Sequence, residues 1–315
     1  MGAWDYFAVD ELNLTAYIKE IGRGKKAAGD LSRADAQTLF AAILGGGVPD
    51  LQLGAILIAL RVKGESLEEL AGFATACEAS YAHLDAGGAT PVVVPAYNGA
   101  RQLPNLVPLL ALLLAREGIP VLIHGVTDDP GRVTTREVLD ALGIPPAQSM
   151  DEAQAQLGLR RLAFLSIDTL APPIARVLAL RAKLGVRNSG HTLAKMLQPF
   201  GGRAVRIVSV THPDYLTLMR EYFTRHDDGA LLLRGAEGEA VAHPRREPAI
   251  DWAFGGRVET WKDDAAQARG TADLPYKDAE ATARWIEAAL AGKAAVPAAI
   301  EHQVACCLRA VEALA

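Results

Sequence analysis

The chain has 315 residues, a formal charge of −5 at pH 7, 50% apolar and 22% charged residues. That balance, with ample length for a buried core and for two domains, excludes a disordered or uniformly basic polypeptide. Asp5, Asp10, Glu11, Lys19 and Glu20 interrupt the first twenty residues, which is the wrong pattern for a signal peptide.

The longest apolar run, Leu106 to Ala115, is stopped by Arg116-Glu117-Gly118 before it is long enough to cross a bilayer. The expectation is a cytoplasmic protein with no membrane partner. Cys77, Cys306 and Cys307 lack metal-ligand spacing, and an odd count with a vicinal pair points to reduced thiols rather than a metal centre.

In chain order, the first eighty-odd residues read as helices only. Ser32 caps a helix carrying Leu39, Phe40, Ile43 and Leu44, which stops at Gly45-Gly46-Gly47. Pro49 opens the next, with Leu53, Ile56, Leu57 and Leu60 at i, i+3, i+4, i+7. Ser66-Leu-Glu-Glu69 is a capping box for another. Such short apolar stripes must be buried against one another or against a partner chain. The basic turn Gly22-Arg-Gly-Lys-Lys26 reads equally as a phosphate contact or as a plain surface turn.

From residue 89 short β-branched or aliphatic runs alternate with helical segments. Strands are predicted over 91–94, 119–123, 162–165, 205–210 and 230–233, a helix from His212-Pro-Asp214, and Ala-rich helices over 279–292 and 296–314. The fold class is α/β: a small all-helical domain over 1–88, with a segment near 181–198 as a candidate addition, and a large α/β domain over 89–315 with a mainly parallel central sheet.

One stretch departs from the acidic balance. Between Leu157 and Arg206 stand Arg160, Arg161, Arg176, Arg181, Lys183, Arg187, Lys195, Arg203 and Arg206, against the single acid Asp168. Such a concentration raises the local potential and attracts phosphates or polyanions; its plain alternative is a solvated helix face. If 181–195 is one helix, Arg187, His191 and Lys195 fall at i, i+4, i+8 on one face, with Lys183 a turn earlier. A line of donors suits a polyanion backbone better than one small anion.

The run Gly47-Val-Pro-Asp-Leu-Gln-Leu-Gly-Ala-Ile-Leu-Ile-Ala-Leu-Arg-Val-Lys-Gly-Glu-Ser66 resembles the helical-domain signature of the anthranilate phosphoribosyltransferase and pyrimidine nucleoside phosphorylase superfamily. The resemblance continues through Ile123-His-Gly125, Asp140-Ala-Leu-Gly143 and Arg181-x-x-Leu-Gly-x-Arg187. It implies a homodimer formed through the helical domains and a cleft in which His124, Gly125 and Arg181 match residues on the aromatic-acid side.

The phosphate side departs from the family. The glycine-rich diphosphate loop reads Pro95-Ala-Tyr-Asn-Gly99, and a proline without an N–H and two residues with Cβ atoms do not suit a close backbone approach to diphosphate. The family's Asn-x-Ser-Thr reads Asn105-Leu-Val-Pro108, and its acidic magnesium pair falls on Ala240-Val241, with Glu237 and Glu239 displaced. A family lysine is Ile123 and a second histidine is Ala171.

These losses predict no catalytic residues, no metal, no cofactor and no anthranilate phosphoribosyl transfer, and leave Asn98, Gly99, Arg101, Asn105, His124 and Gly125 as a remnant substrate cleft. The 187–195 run and Pro95–Arg101 are similar to the paralogous YbiB-like branch, which is described as nucleic-acid binding. The resulting expectation is sequence-tolerant binding of single-stranded or duplex nucleic acid through Arg160, Arg161, Arg176, Arg181, Lys183, Arg187, His191, Lys195, Arg203 and Arg206. Two alternatives remain open. One is a divergent transferase or lyase using His124, Arg181, Asn98 and Asn105 on a nucleotide-like substrate; the other is a basic patch for an acidic protein partner.

Overall fold

A computed structural model describes residues 12–24, 26–226, 229–246, 249–263 and 273–315. Asp5, Asp10, Glu11 and Lys25, used in the sequence argument, lie outside the described residues. In chain order the elements are α1 (Leu14–Ile21), α2 (Arg33–Gly45), α3 (Asp50–Lys63), α4 (Leu67–Glu78), β1 (Val92–Ala96), α5 (Val107–Arg116), β2 (Val121–Gly125), α6 (Thr135–Ala141), α7 (Met150–Arg160) and β3 (Leu162–Ser166). They continue with α8 (Ile167–Leu170), α9 (Pro172–Ala179), α10 (Arg181–Leu184), α11 (Gly190–Leu193), β4 (Val205–Ser209), α12 (Pro213–Arg225), β5 (Ala230–Leu233), β6 (Ile250–Phe254), β7 (Arg257–Trp261), α13 (Ala279–Leu290) and α14 (Ala298–Leu314).

Two units form. The helical unit comprises the described residues up to Tyr81 together with Ala171–Leu197; the second comprises Ala82–Leu170 and residues from Gln198 onward.

In the helical unit the caps act as their chemistry dictates. Ser32 accepts from Asp35 N, Gly46 ends α2 at φ 77°, and Ser66 with Glu69 closes a reciprocal capping box. Pro49 is the N-cap of α3, one position outside the first turn. α4 lies on α2, with the Phe40 and Phe73 rings 4.8 Å apart; a Cβ at Gly72 would collide with the Arg33 carbonyl. Glu69 is fully buried and accepts from Lys63 Nζ (2.6 Å), Ser66 N (2.8 Å) and Leu31 N (3.0 Å).

In the α/β unit the sheet runs β3-β2-β1-β4-β5-β6-β7. The first five strands are parallel, as expected, and each is buried along nearly its whole length. The hairpin β6–β7 adds two antiparallel strands that sequence reasoning missed. Its signal was local: Ile250, Trp252 and Phe254 alternate, and Gly255-Gly256 turns at φ 61° and 73°, the pair of positive values a two-residue hairpin requires.

Pairing of β1 with β4 stops at Val93, whereas pairing with β2 continues to Ala96, so Pro95 and its missing N–H sit beyond the β4 ladder. On α14, buried Gln303 accepts from Ala242 N (2.6 Å) and donates to Ala240 O (2.9 Å), fixing the segment after β5. No described helix is long and apolar enough to cross a membrane.

The segment 181–195 is not one helix. Leu184 is the last residue of α10, Gly185 caps it at φ 72° and donates to Arg181 O, and helix resumes only at Gly190. The predicted i, i+4, i+8 face therefore does not exist. Leu-Gly at 184–185 is the ordinary left-handed C-terminal signal, and the charge periodicity obscured it.

Candidate anion sites: a remnant cleft and a basic segment

β1 and β2 end side by side, with Pro95 opposite His124 and Ala96 opposite Gly125. The close fit requires glycine at 125, because a Cβ there would collide with Ala96 O. His124 is fully buried; its Nδ1 lies 2.7 Å from the Tyr97 hydroxyl, and burial pulls its pKa down to about 3, so the ring is neutral at physiological pH. Burial, with the charges of Asp168 and Glu239, pushes the Tyr97 phenol well above its ordinary range. Tyr97 thus takes the place where the family carries a glycine.

The loop beyond Tyr97 folds around two carboxylates of its own chain. Glu239, buried, accepts from Asn98 N and Gly99 N, each at 2.5 Å. Glu237 accepts from Arg101 N (2.9 Å), Gln102 N (3.0 and 3.1 Å) and Leu103 N (3.1 Å), and its own carbonyl receives Asn98 Nδ2 at 3.2 Å. Burial alone would raise the Glu237 pKa, but the backbone bonds and the nearby Arg132 charge outweigh it and hold the carboxyl below its ordinary value. Gly238, at φ 88°, lets Asn98 approach; a Cβ would collide with Asn98 Nδ2.

Sequence alignment left these glutamates displaced from a metal site. The structure gives them another task, as acceptors for main-chain amides. The two positions matching the family's acidic pair, Ala240 and Val241, are buried apolar residues. Neither of these two side chains offers an oxygen ligand to magnesium.

The other cleft residues also have partners within the chain. Asn105 donates to Val133 O (3.1 Å) and Thr135 Oγ1 (3.2 Å) and accepts from Val107 N, tying the loop before α5 to the start of α6. Gly99 turns at φ 62°, and Arg101 is exposed with its carbonyl held by Lys277 Nζ at 2.8 Å. Among the described residues two buried cleft atoms, Asn98 Oδ1 and His124 Nε2, have no hydrogen-bond partner.

The basic residues divide between the units. Arg160 and Arg161 are exposed at the end of α7, and exposed Arg203 lies 5.9 Å from the Phe254 ring centre. Arg206 must be withdrawn as a phosphate contact. It is only 5% exposed on β4, with its guanidinium 4.8 Å from the Phe223 ring centre. Arg176 is exposed, but its Nη2 donates to Leu44 O at 2.6 Å, closing the end of α2.

In the helical unit, Arg181 and Lys183 are exposed and Arg187 and Lys195 half-buried. Asn188 and Ser189 are buried and engaged with Val177 O, Gly190 N and Glu65, so they hold the bend rather than offer hydrogen bonds outward.

His191 is corrected as well. Burial first, then the charges of Arg187, Arg181 and Lys195, pull its pKa down to about 4, against a raising bond at Asn188. It is neutral at pH 7 and contributes no cation. Lys195 still follows His191 by about one turn, because α11 continues directly as a 3-10 turn over Ala194–Met196.

Residues 15–80 match the Glycosyl transferase family, helical bundle domain. The chain is 46% identical over 297 residues to the protein YbiB of Escherichia coli (strain K12), covering 92% of each. It is 30% identical over 280 residues to the anthranilate phosphoribosyltransferase of Beijerinckia indica subsp. indica, covering 75% of this chain and 80% of that one. In fold it superimposes on anthranilate phosphoribosyltransferase from Thermus thermophilus with a TM-score of 0.72 at 22% identity, over 96% of this chain and 88% of that one. Helical unit, parallel sheet and cleft motifs agree with these likenesses: the chain belongs to the anthranilate phosphoribosyltransferase and nucleoside phosphorylase superfamily, in its YbiB-like branch.

Proposed function

We propose that this protein is a cytoplasmic nucleic-acid-binding homodimer on a phosphoribosyltransferase fold, holding phosphate backbones without regard to sequence and without transferring phosphoribosyl groups. The observation that carries the reading is the 171–197 segment itself, which holds five cations and no acid, with Arg181 and Lys183 exposed. Arg160, Arg161 and Arg203 are exposed cations of the separate α/β unit.

Such contacts release counterions. Fluorescence anisotropy with single-stranded and duplex oligonucleotides at several salt concentrations should give, for single strands, a slope of log K against log salt of about −0.7 per phosphate neutralised. A flat dependence, or no binding at low salt, ends this reading.

The absence of phosphoribosyl transfer follows from the loop that binds itself. Amides at 98, 99 and 101–103 already donate to Glu239 and Glu237, and Tyr97 fills the glycine position. Calorimetry with phosphoribosyl diphosphate and magnesium should show no saturable heat. A second reading, a divergent transferase or lyase, is favoured by the two buried unpartnered atoms at Asn98 and His124, and saturable binding in that calorimeter would put it ahead.

Dimerisation is assigned to α3, where Leu51 (87% exposed), Ile58 (38%) and Val62 (55%) lie on one side at i, i+7, i+11. An isologous contact buries this stripe on both copies. Light scattering at micromolar concentration should give twice the chain mass, and Leu51→Glu with Val62→Glu should return the monomer.

A further inference from the structure

The two edges of the sheet are unequal. β3 is buried along nearly its whole length, and Ala147 continues the ladder on its outer side by donating to Phe164 O at 2.8 Å. β7 is exposed from Arg257 to Thr260, and among the described residues no strand pairs with it on the side away from β6.

The hairpin fixes which main-chain groups are open. A two-residue loop makes Phe254 and Arg257 a hydrogen-bonded pair, and bonded and non-bonded pairs alternate along an antiparallel ladder. Arg257, Glu259 and Trp261 therefore bond inward to β6, whereas the N–H and C=O of Val258 and Thr260 point to the free edge.

An edge of this kind is a template for another strand, which proteins blunt with proline, a bulge or repelling charge. β7 has neither proline nor bulge, and its two charges are opposite in sign and flank Val258, itself 36% exposed. The Arg257 guanidinium has no partner among the described residues. Glu259 receives Trp261 Nε1 (3.1 Å) and Arg309 Nη2 (3.3 Å) through the same oxygen, Oε2, and its Oε1 is open.

A strand with that symmetry complements itself. Turned antiparallel about a two-fold axis at Val258, two copies set Arg257 of each opposite Glu259 of the other, and the two Val258 residues exchange both main-chain bonds. A register centred on Glu259 would instead set that acid against itself. We propose that β7 is a self-association strand, through which a second copy of this chain continues the sheet across a two-fold axis. The contact is confined to one short strand and is weak. It is independent of α3, and used together the two contacts link copies into assemblies larger than a pair.

The test needs no nucleic acid, so its outcome is separate from that of the proposed function. Sedimentation of the full chain from about ten micromolar to about one millimolar should show the mass rising above its low-concentration value. Val258→Pro removes an outward N–H without touching a bond to β6, and should shift that rise to at least about tenfold higher concentration. Arg257→Glu, acidic at both positions, and Glu259→Arg, basic at both, should each fail to associate alone yet associate when mixed. A fold defect in either variant cannot produce that rescue.

Residue-resolved hydrogen exchange on the parent checks the register without any variant. The Val258 amide should exchange freely in dilute solution and gain protection at high concentration, while the amides of Arg257, Glu259 and Trp261 stay protected throughout. A constant mass across the range, a mixture no more associated than its components, or a Val258 amide indifferent to concentration overturns the proposal.

Discussion

Replacing Glu69 by Ala should destabilise the helical unit by about 3–5 kcal/mol, the cost of leaving a buried charge without its partner. The Lys63 side chain is 6% exposed and that of Glu69 0%, so the ammonium would stay in the interior with only Asp30, itself 61% exposed, to answer it. Two main-chain donors, Leu31 N and Ser66 N, would lose their acceptor at the same time. Urea unfolding should show a lower midpoint at an unchanged slope. Glu69→Gln, whose single side-chain oxygen can still accept from one of the two amides, should fall in between.

The pH dependence has a definite sign. Burial alone would lower the Lys63 pKa, but bonds and charges from Asp30 and Glu69 outweigh it and raise the value. The stabilisation is therefore complete below the unfolded-state lysine pKa and is lost as pH rises through the higher folded-state value. In Glu69→Gln this alkaline loss should shrink. A Glu69→Ala variant with the parent's midpoint would show that the pair carries no net stability.

Arg187→Ala with Lys195→Ala should weaken oligonucleotide binding by about tenfold or more at physiological salt, to a similar degree for all sequences, and flatten the salt slope by about 0.7 for each single-strand phosphate no longer neutralised. The pair is chosen because both residues belong to the acid-free set of cations within 171–197, on either side of His191. Arg116→Ala with Lys262→Ala, basic residues outside that set, should change affinity much less. Thermal melts of both double variants separate weakened binding from failed folding. Parent-like affinity of the first pair at every salt concentration would remove this segment as the interface.

The elements that sequence made legible are those whose causes are local. Ser32, Gly46 and Ser66 mark helix ends within four residues of the bonds they make, and five parallel strands announce themselves as aliphatic runs. The broken segment at 181–195 was also locally encoded, at Gly185, but charge spacing gave a competing pattern with the same period as a helix. Arg206 could not be read correctly from its neighbours, because its burial depends on Phe223 from another element. Glu237 was equally hidden. Its partners at 101–103 are 134–136 residues earlier, and no periodicity links them.

The Gln303 clamp has a consequence in time. A ribosome delivers the amides of residues 98–103 more than a hundred residues before their carboxylates, and the side chain that holds Ala240 and Ala242 emerges some sixty residues later still. Until Glu237 and Glu239 are made, the growing chain carries an uncapped turn beside an unfinished sheet, and until α14 is made the segment that bears them lacks its Gln303 clamp. That turn completes its native bonds only after nearly the whole polypeptide has left the exit tunnel, so the order of synthesis makes it one of the last parts of the α/β unit to become native.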